Sequence, residues 1–202
     1  MSNRTPITPP LKAEIDAMEP FQGLALESVM IISDENEALH ARDELLRSGV
    51  VGFDTESKPT FRKGQKSTGP HVFQFATLER AFIFRPLHSA SVEIIIELLM
   101  AAQLTKVGFD LKGDLSQISR RFGVQPGAVV DLGRSFRQLG YRNTIGATAA
   151  VAMLFGRRLK KSKSITTSNW AADQLSEKQL LYAANDAYAA IRVFHALEQP
   201  GD

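Results

Sequence analysis

Apolar residues along the chain fall into short runs separated by polar, Gly- and Pro-containing segments, and the spacing within each run predicts its element. Residues 27–33 (ESVMIIS) predict a strand, and Asp34 after it is a helix N-cap. Leu39, Ala41, Leu45 and Leu46 then recur at roughly helical spacing over residues 35–48. VVGFD, residues 50–54, is a short apolar run ending in a carboxylate, the pattern of a buried strand. HVFQFATLERAFIFRP, residues 71–86, divides into two strands with a turn near Leu78–Arg80, which makes an antiparallel meander with VVGFD. An apolar-rich helix is predicted over 91–102, a strand over 105–110 (TKVGFD), and a helix from about Leu111 to Phe122. GAVVDL, residues 127–132, reads as a short strand or extended link whose Asp131 caps the next helix. Residues 145–155 form a helix of small and apolar side chains, 157–170 a basic loop rich in Ser and Thr, and about Glu177–Leu197 a final helix. Ser176 and Gln179 before it are spaced as a capping box. Strands first, then strands alternating with helices, predict a mixed α/β sheet in a single domain over residues 23–202. Residues 1–22, with four prolines and little periodicity, predict a leader that packs loosely.

Composition narrows the classes. A hydrophobic fraction of 44% over 202 residues fills a real core, and 23% charged residues is ordinary for a soluble globular protein. No run approaches the roughly eighteen apolar residues of a membrane span, and the first residues lack an apolar signal core, so no membrane association and a cytoplasmic location are expected. With no cysteine, disulfides, thiolate nucleophiles and zinc–thiolate sites are excluded. Any metal must be held by carboxylates, His or water, and carboxylates favour hard ions such as magnesium or manganese. The net charge of +2 decides nothing, but its distribution does. Lys58, Arg62, Lys63 and Lys66 crowd residues 58–66, and Arg157, Arg158, Lys160, Lys161 and Lys163 crowd 157–163, with no acid in either segment. An isolated basic loop is ordinarily a solvated one. Two of them suggest a local anionic partner if both flank a site that needs phosphates.

The carboxylates supply such a site. Asp54 and Glu56 are two apart at a strand end, so both point to one face. Two carboxylates there repel unless a cation lies between them or one is protonated. Taken alone, the pair is most simply an exposed strand end with two solvated acids. Asp114, on the first turn of a helix, is equally explained by the helix dipole. Tyr182 and Asp186 are four apart, on one face of a helix of small and apolar residues where an Asp is seldom idle. The plainer alternative is a half-buried Asp paired with Arg or Lys. Tyr188 is read as packing.

Taken together, the order Asp-x-Glu, a later helical Asp, and Tyr-x-x-x-Asp on the last helix resembles the DEDDy-type 3′-5′ exonucleases, a family that includes ribonuclease D and the exonuclease domain of the Werner-syndrome helicase. The resemblance rests on GFDTESKP (52–59), KVGFDLKGDLSQI (106–118) and YAANDAY (182–188), with FQFAT (73–77) and the stretch 168–188 in support, and it spans about residues 25–198. It implies an RNase H-like sheet flanked by helices, a nucleic acid with a free 3′ end as substrate, and two divalent ions, Mg2+ or Mn2+. It implies that Asp54, Glu56 and Asp186 hold the ion that activates water, that Asp54 also bridges to a second ion which Asp114 helps hold, and that Tyr182 orients the attacking water. The products would be nucleoside 5′-monophosphates. Lys58, Arg62, Lys63 and Lys66 are then expected at the rim of the site on substrate phosphates. Phe109 is expected either to stack on a terminal base or to be core. This sequence departs from the family in Asp110, where relatives carry a small or neutral residue and which is expected to cap the following helix. It departs again in Ala171 and Ala172, which follow Trp170 where an Arg is usual. The same ligands would also serve a phosphodiesterase of dinucleotides or short oligonucleotides, and the fold would serve a binding module without activity.

Overall fold

The computed structural model describes residues 8–60, 64–65, 67–87, 89–141 and 143–198. The strands are β1 (Val29–Ile31), β2 (Val50–Glu56), β3 (Val72–Ala76), β4 (Ala81–Phe84), β5 (Thr105–Gly108) and β6 (Val129–Asp131). The helices are α1 (Lys12–Asp16), α2 (Glu35–Ser48), α3 (Ser89–Met100), α4 (Lys112–Phe122), α5 (Leu132–Gln138), α6 (Ala147–Phe155), α7 (Lys163–Thr166) and α8 (Glu177–Glu198). One sheet runs β1-β4-β3-β2-β5-β6. β2, β3 and β4 form the expected antiparallel meander, while β1 joins β4, and β5 and β6 extend β2, all in parallel.

Local chemistry explains most boundaries. Asp34 accepts from the Glu37 N–H at 2.8 Å and starts α2, and Gly49 at φ 70° ends it. Asp131 accepts from Gly133 N–H at 3.0 Å. At the start of α8, the Ser176 N–H donates to Gln179 Oε1 at 3.0 Å, and the Gln179 N–H donates to Ser176 Oγ at 3.4 Å.

Strand alternation divides the interior into two layers. Val51, Phe53, Phe73, Phe75, Phe82 and Phe84 point toward α2, α3 and α4, while Val72, Ala76, Ala81, Ile83 and Val107 point toward α5, α6 and α8. α8 crosses the middle of the sheet on a face of small residues, including Ala183, Ala184, Ala187 and Ala190. Its backbone comes so near β2 that a Cβ on Gly52 would lie 1.8 Å from the Ala187 carbonyl oxygen. Only glycine permits that approach, and the approach places Asp186 over the strand that carries Asp54.

Residues 1–22 are expected to pack loosely; residues 1–7 lie outside the described ones, and 8–22 are mostly exposed, with a few anchoring contacts. The anchors are Ile15, which is buried, and backbone bonds in which the Phe21 N–H donates to Arg158 O and the Arg158 N–H to Glu19 O, both at 2.9 Å. The Phe21 ring packs on Phe155 and Tyr188. These contacts join residues far apart in sequence, so no periodicity announces them.

Candidate active site

Asp54 and Glu56 emerge on the α8 face of β2, as their two-residue spacing requires. α8 supplies Asp186 from above. Oxygens of Asp54, Glu56 and Asp186 all lie within 4.8 Å of one another. Asp114, from α4, stands beside this triad rather than within it, and the Thr55 hydroxyl donates to its Oδ1. Gln74 is the register partner of Asp54 on β3. It is fully buried, and both atoms of its amide lack a protein partner.

The carboxylates are held against their charge. Burial, and then the charges of Asp186 and Asp114, push Asp54 well above the usual carboxylate range. Burial, followed by Asp54 and Asp186, pushes Glu56 up to about 9. Burial also raises Asp186, against the opposing pull of Lys161, and raises Asp114, against its bond from Thr55. Relief comes from a cation between them or from protons on them. Three converging carboxylates with little exposure are a donor set that fits a hard divalent ion.

Tyr182 lies one turn before Asp186 on α8 and shares a hydrogen bond of 2.8 Å with the Thr166 hydroxyl. Burial, and then the charge of Asp186, raise its phenol above the ordinary value, so the group stays a neutral donor. Tyr188 is 8% exposed and accepts from Arg192 at 2.8 Å, a packing residue as expected.

A cavity of about 280 Å³ opens on Asp54 and Asp186 of the triad. Its walls include Phe53, Asp54, Phe109, Asp110, Lys161 and Asp186, with the start of α6 opposite. Phe109 is half-buried, packing on the α8-face core while also lining this cavity. Asp110 does not cap α4. The cap position is Leu111, with no side-chain bond, and Asp110 is an exposed residue at φ 53° on the cavity wall. Lys58 is exposed beyond the end of β2 and is not on that wall. Arg62, Lys63 and Lys66 lie outside the described residues.

Lys161 was legible only as one charge in a basic loop. Its Nζ donates to Asp186 Oδ2 at 2.5 Å and lies 5.2 Å from the centre of the Tyr182 ring. Burial works against its charge, but Asp186, Tyr182 and Asp54 outweigh it and raise its pKa. The loop also contains the short helix α7, which carries Thr166 to Tyr182. The signal for Lys161 was the excess of acids itself, which demands a counter-charge near Asp186.

The profile of the 3′-5′ exonuclease family matches residues 29–201. The chain belongs to this family. It is 31% identical over 158 residues to the bifunctional 3′-5′ exonuclease/ATP-dependent helicase WRN of Mus musculus, a match covering 76% of this chain and 11% of the mouse protein. It is also 31% identical over 165 residues to a 3′-5′ exonuclease of Arabidopsis thaliana, covering 80% of this chain and 56% of that protein. The chain thus spans well under two thirds of either relative's length. Among solved structures, the Nibbler EXO domain of Aedes aegypti superposes with a TM-score of 0.74 at 21% identity, over 89% of this chain and 92% of that one. The complex of Trypanosoma brucei ribonuclease D with RNA U12 superposes with a TM-score of 0.73 at 20% identity, over 84% of this chain and 62% of that one. The mixed six-stranded sheet is thus the RNase H-like fold of exonuclease domains.

Proposed function

We propose that this chain is a metal-dependent 3′-5′ exonuclease of the DEDDy type, which hydrolyses the terminal phosphodiester bond of a nucleic acid and releases nucleoside 5′-monophosphates. The observation that carries the reading is the convergence of Asp54, Glu56 and Asp186 oxygens within 4.8 Å, with Asp54 and Asp186 on the wall of a cavity of about 280 Å³. Membership of the exonuclease family supports it, as does the RNA held by the structurally similar ribonuclease D. Two divalent ions, Mg2+ or Mn2+, held by Asp54, Glu56, Asp114 and Asp186 would supply a water of lowered pKa and stabilise charge on the attacking and leaving oxygens.

The protein's own groups do the rest. Thr55 fixes the Asp114 carboxylate through its hydroxyl. Tyr182, neutral and steadied by Thr166, donates to the attacking water and orients it toward phosphorus. The water oxygen bonds to phosphorus, the bond from phosphorus to the 3′ oxygen breaks, and that oxygen leaves with a proton. Phe109 and the start of α6 wall the space for the last nucleoside. Lys58 beyond the strand end, with Arg62, Lys63 and Lys66 close to it in sequence, would contact phosphates upstream and make binding salt-dependent.

The test is digestion of 5′-labelled single-stranded DNA and RNA with Mn2+, Mg2+ or EDTA, run beside Asp54→Ala. A metal-dependent ladder shrinking from the 3′ end, absent in Asp54→Ala of unchanged circular dichroism, is the expected result. Cleavage of dinucleotides with both long strands intact would replace this reading with a short-oligonucleotide phosphodiesterase. No cleavage of any substrate would leave a binding module.

A further inference from the structure

The metal-ligand reading leaves Lys161 without a purpose. Among the charged residues lining the cavity it is the cation, and the others are Asp54, Asp110 and Asp186. The segment that carries it is fixed at both ends. Arg158 is hydrogen-bonded to Glu19 and Phe21 of the N-terminal segment and Leu159 is buried, while Thr166 is bonded to Tyr182. The Lys161 side chain itself is 38% exposed, whereas that of Asp186 is 7% exposed. The loop therefore places the ammonium at the carboxylates without locking the side chain in packing.

An Asp186 oxygen that accepts the ammonium proton at 2.5 Å cannot give the same lone pair to an ion, so the two cations compete for it. Charge then limits where Lys161 goes. Four ionised carboxylates balance two divalent ions, and the phosphodiester of a substrate adds one further negative charge beside the acidic wall residue Asp110. A single ammonium, already at the cavity, matches it. Lysine suits such a transfer better than arginine, because it is a compact point charge on a flexible stem, with no fixed fork to satisfy.

We infer that Lys161 is a mobile counter-charge of this site: it pairs with Asp186 until that carboxylate takes a divalent ion, then binds a non-bridging oxygen of the scissile phosphodiester. That makes it a further catalytic residue. The inference rests on the metal-dependent exonuclease reading.

The test compares wild type, K161M and K161R in EDTA and in saturating Mn2+, reading melting temperature, Mn2+ affinity by titration without substrate, and turnover on a labelled strand. In EDTA, K161M should melt lower than wild type by about 4 °C or more, because Asp186 is left buried without its partner. In Mn2+ the gap should close to within about 1 °C. K161M should also bind Mn2+ several-fold more tightly, since the competitor is gone. Its turnover in saturating Mn2+ should fall by about tenfold or more, with partial recovery in K161R. If K161M is unfolded in EDTA, folding on addition of Mn2+ is the same result in stronger form, and failure to fold then overturns the inference. A melting gap that persists in Mn2+ marks a fixed structural pair and overturns it, as does unaltered turnover. Either result in a wild type that binds Mn2+ sinks this inference alone. A wild type that neither binds Mn2+ nor gains stability from it sinks the exonuclease reading, and this inference with it.

Discussion

On one face of β2, Val51 and Phe53 are at most 1% exposed and lie among Phe73, Phe75, Phe82 and Phe84. On the other, Gly52, Asp54 and Glu56 lie beneath α8, and the two carboxylates there sit against burial and against each other. Alternate residues of one strand thus divide the work. The aromatic face anchors the strand, and the anchored strand holds charges that would otherwise spread apart. A site that needs carboxylates placed within fractions of an ångström gains from a support whose other side is close-packed. Register is what keeps the two faces distinct, since a slip of one residue would exchange them. The pairs Phe53 with Phe75 and Asp54 with Gln74 fix it.

The contact that joins the two faces is the most sensitive place to break them. Gly52→Val would drive a Cβ into the Ala187 carbonyl, an atom of helix backbone that cannot yield alone. The expected cost exceeds about 4 kcal/mol, measured by urea denaturation, and activity should vanish with the fold. A folded and active Gly52→Val would refute the idea that α8 needs this approach to deliver Asp186. Phe75→Ala comes next. Phe75 is fully buried, with its ring on Phe53 and Phe84, so about 3–5 kcal/mol should be lost. Its side chain lies on the far face, so turnover per folded molecule should stay within about twofold. Selective loss of turnover in that variant would mean that the faces are not independent.

How much of this could be read from the chain follows from the range of each interaction. The meander, the caps at Asp34 and Asp131, and the box of Ser176 and Gln179 were legible because each is set by neighbours in sequence. The triad was legible because strand and helix spacings fix directions, and the family resemblance fixed the partners. The docking of Phe21 on Phe155 and Tyr188 was not, since nothing local marks it; a Lys or Arg partner for Asp186 was weighed, but no local pattern singled out Lys161. Asp110 misled for a different reason. Its carboxylate is well placed in sequence to cap α4, but the backbone there takes φ 53°, and the cap position falls to Leu111. Lys106, in the strand TKVGFD, is fully buried, and nothing in its type or spacing marks that.

The two faces should also differ in how pH acts on them. Glu56, raised from 4.5 to about 9, binds its proton more tightly folded than unfolded. Its contribution to stability is therefore complete below about pH 4.5 and is lost as pH rises toward 9. Without metal, the protein should lose up to about 1.4 kcal/mol per pH unit for each such proton across that window. Glu56→Gln should flatten the slope, and saturating Mn2+ should flatten it in wild type. Urea midpoints at pH 5, 6.5 and 8 in EDTA would show it. A slope unchanged by Glu56→Gln would mean that Glu56 is not held in repulsion with Asp54 and Asp186.

Lys106 provides the opposite sign from the other face, with a smaller effect. Its ammonium is buried under α3 and donates to the carbonyls of Leu98 and Ala101, at 3.2 and 3.0 Å. Those carbonyls end a helix and favour the charge, yet burial lowers the pKa from 10.5 to about 8. Between these values the unfolded chain binds the proton and the folded one releases it, so stability rises with pH there and the gain is lost as pH falls through about 8. The stability of wild type minus that of Lys106→Met should therefore climb from pH 8 to 10. Below pH 8 it should be flat and small, because Met relieves a buried charge while leaving two carbonyls without a donor. A difference that stays level through pH 10 would show that the helix end fully compensates the burial. The two faces would then differ in chemistry but not in the cost of holding a charge.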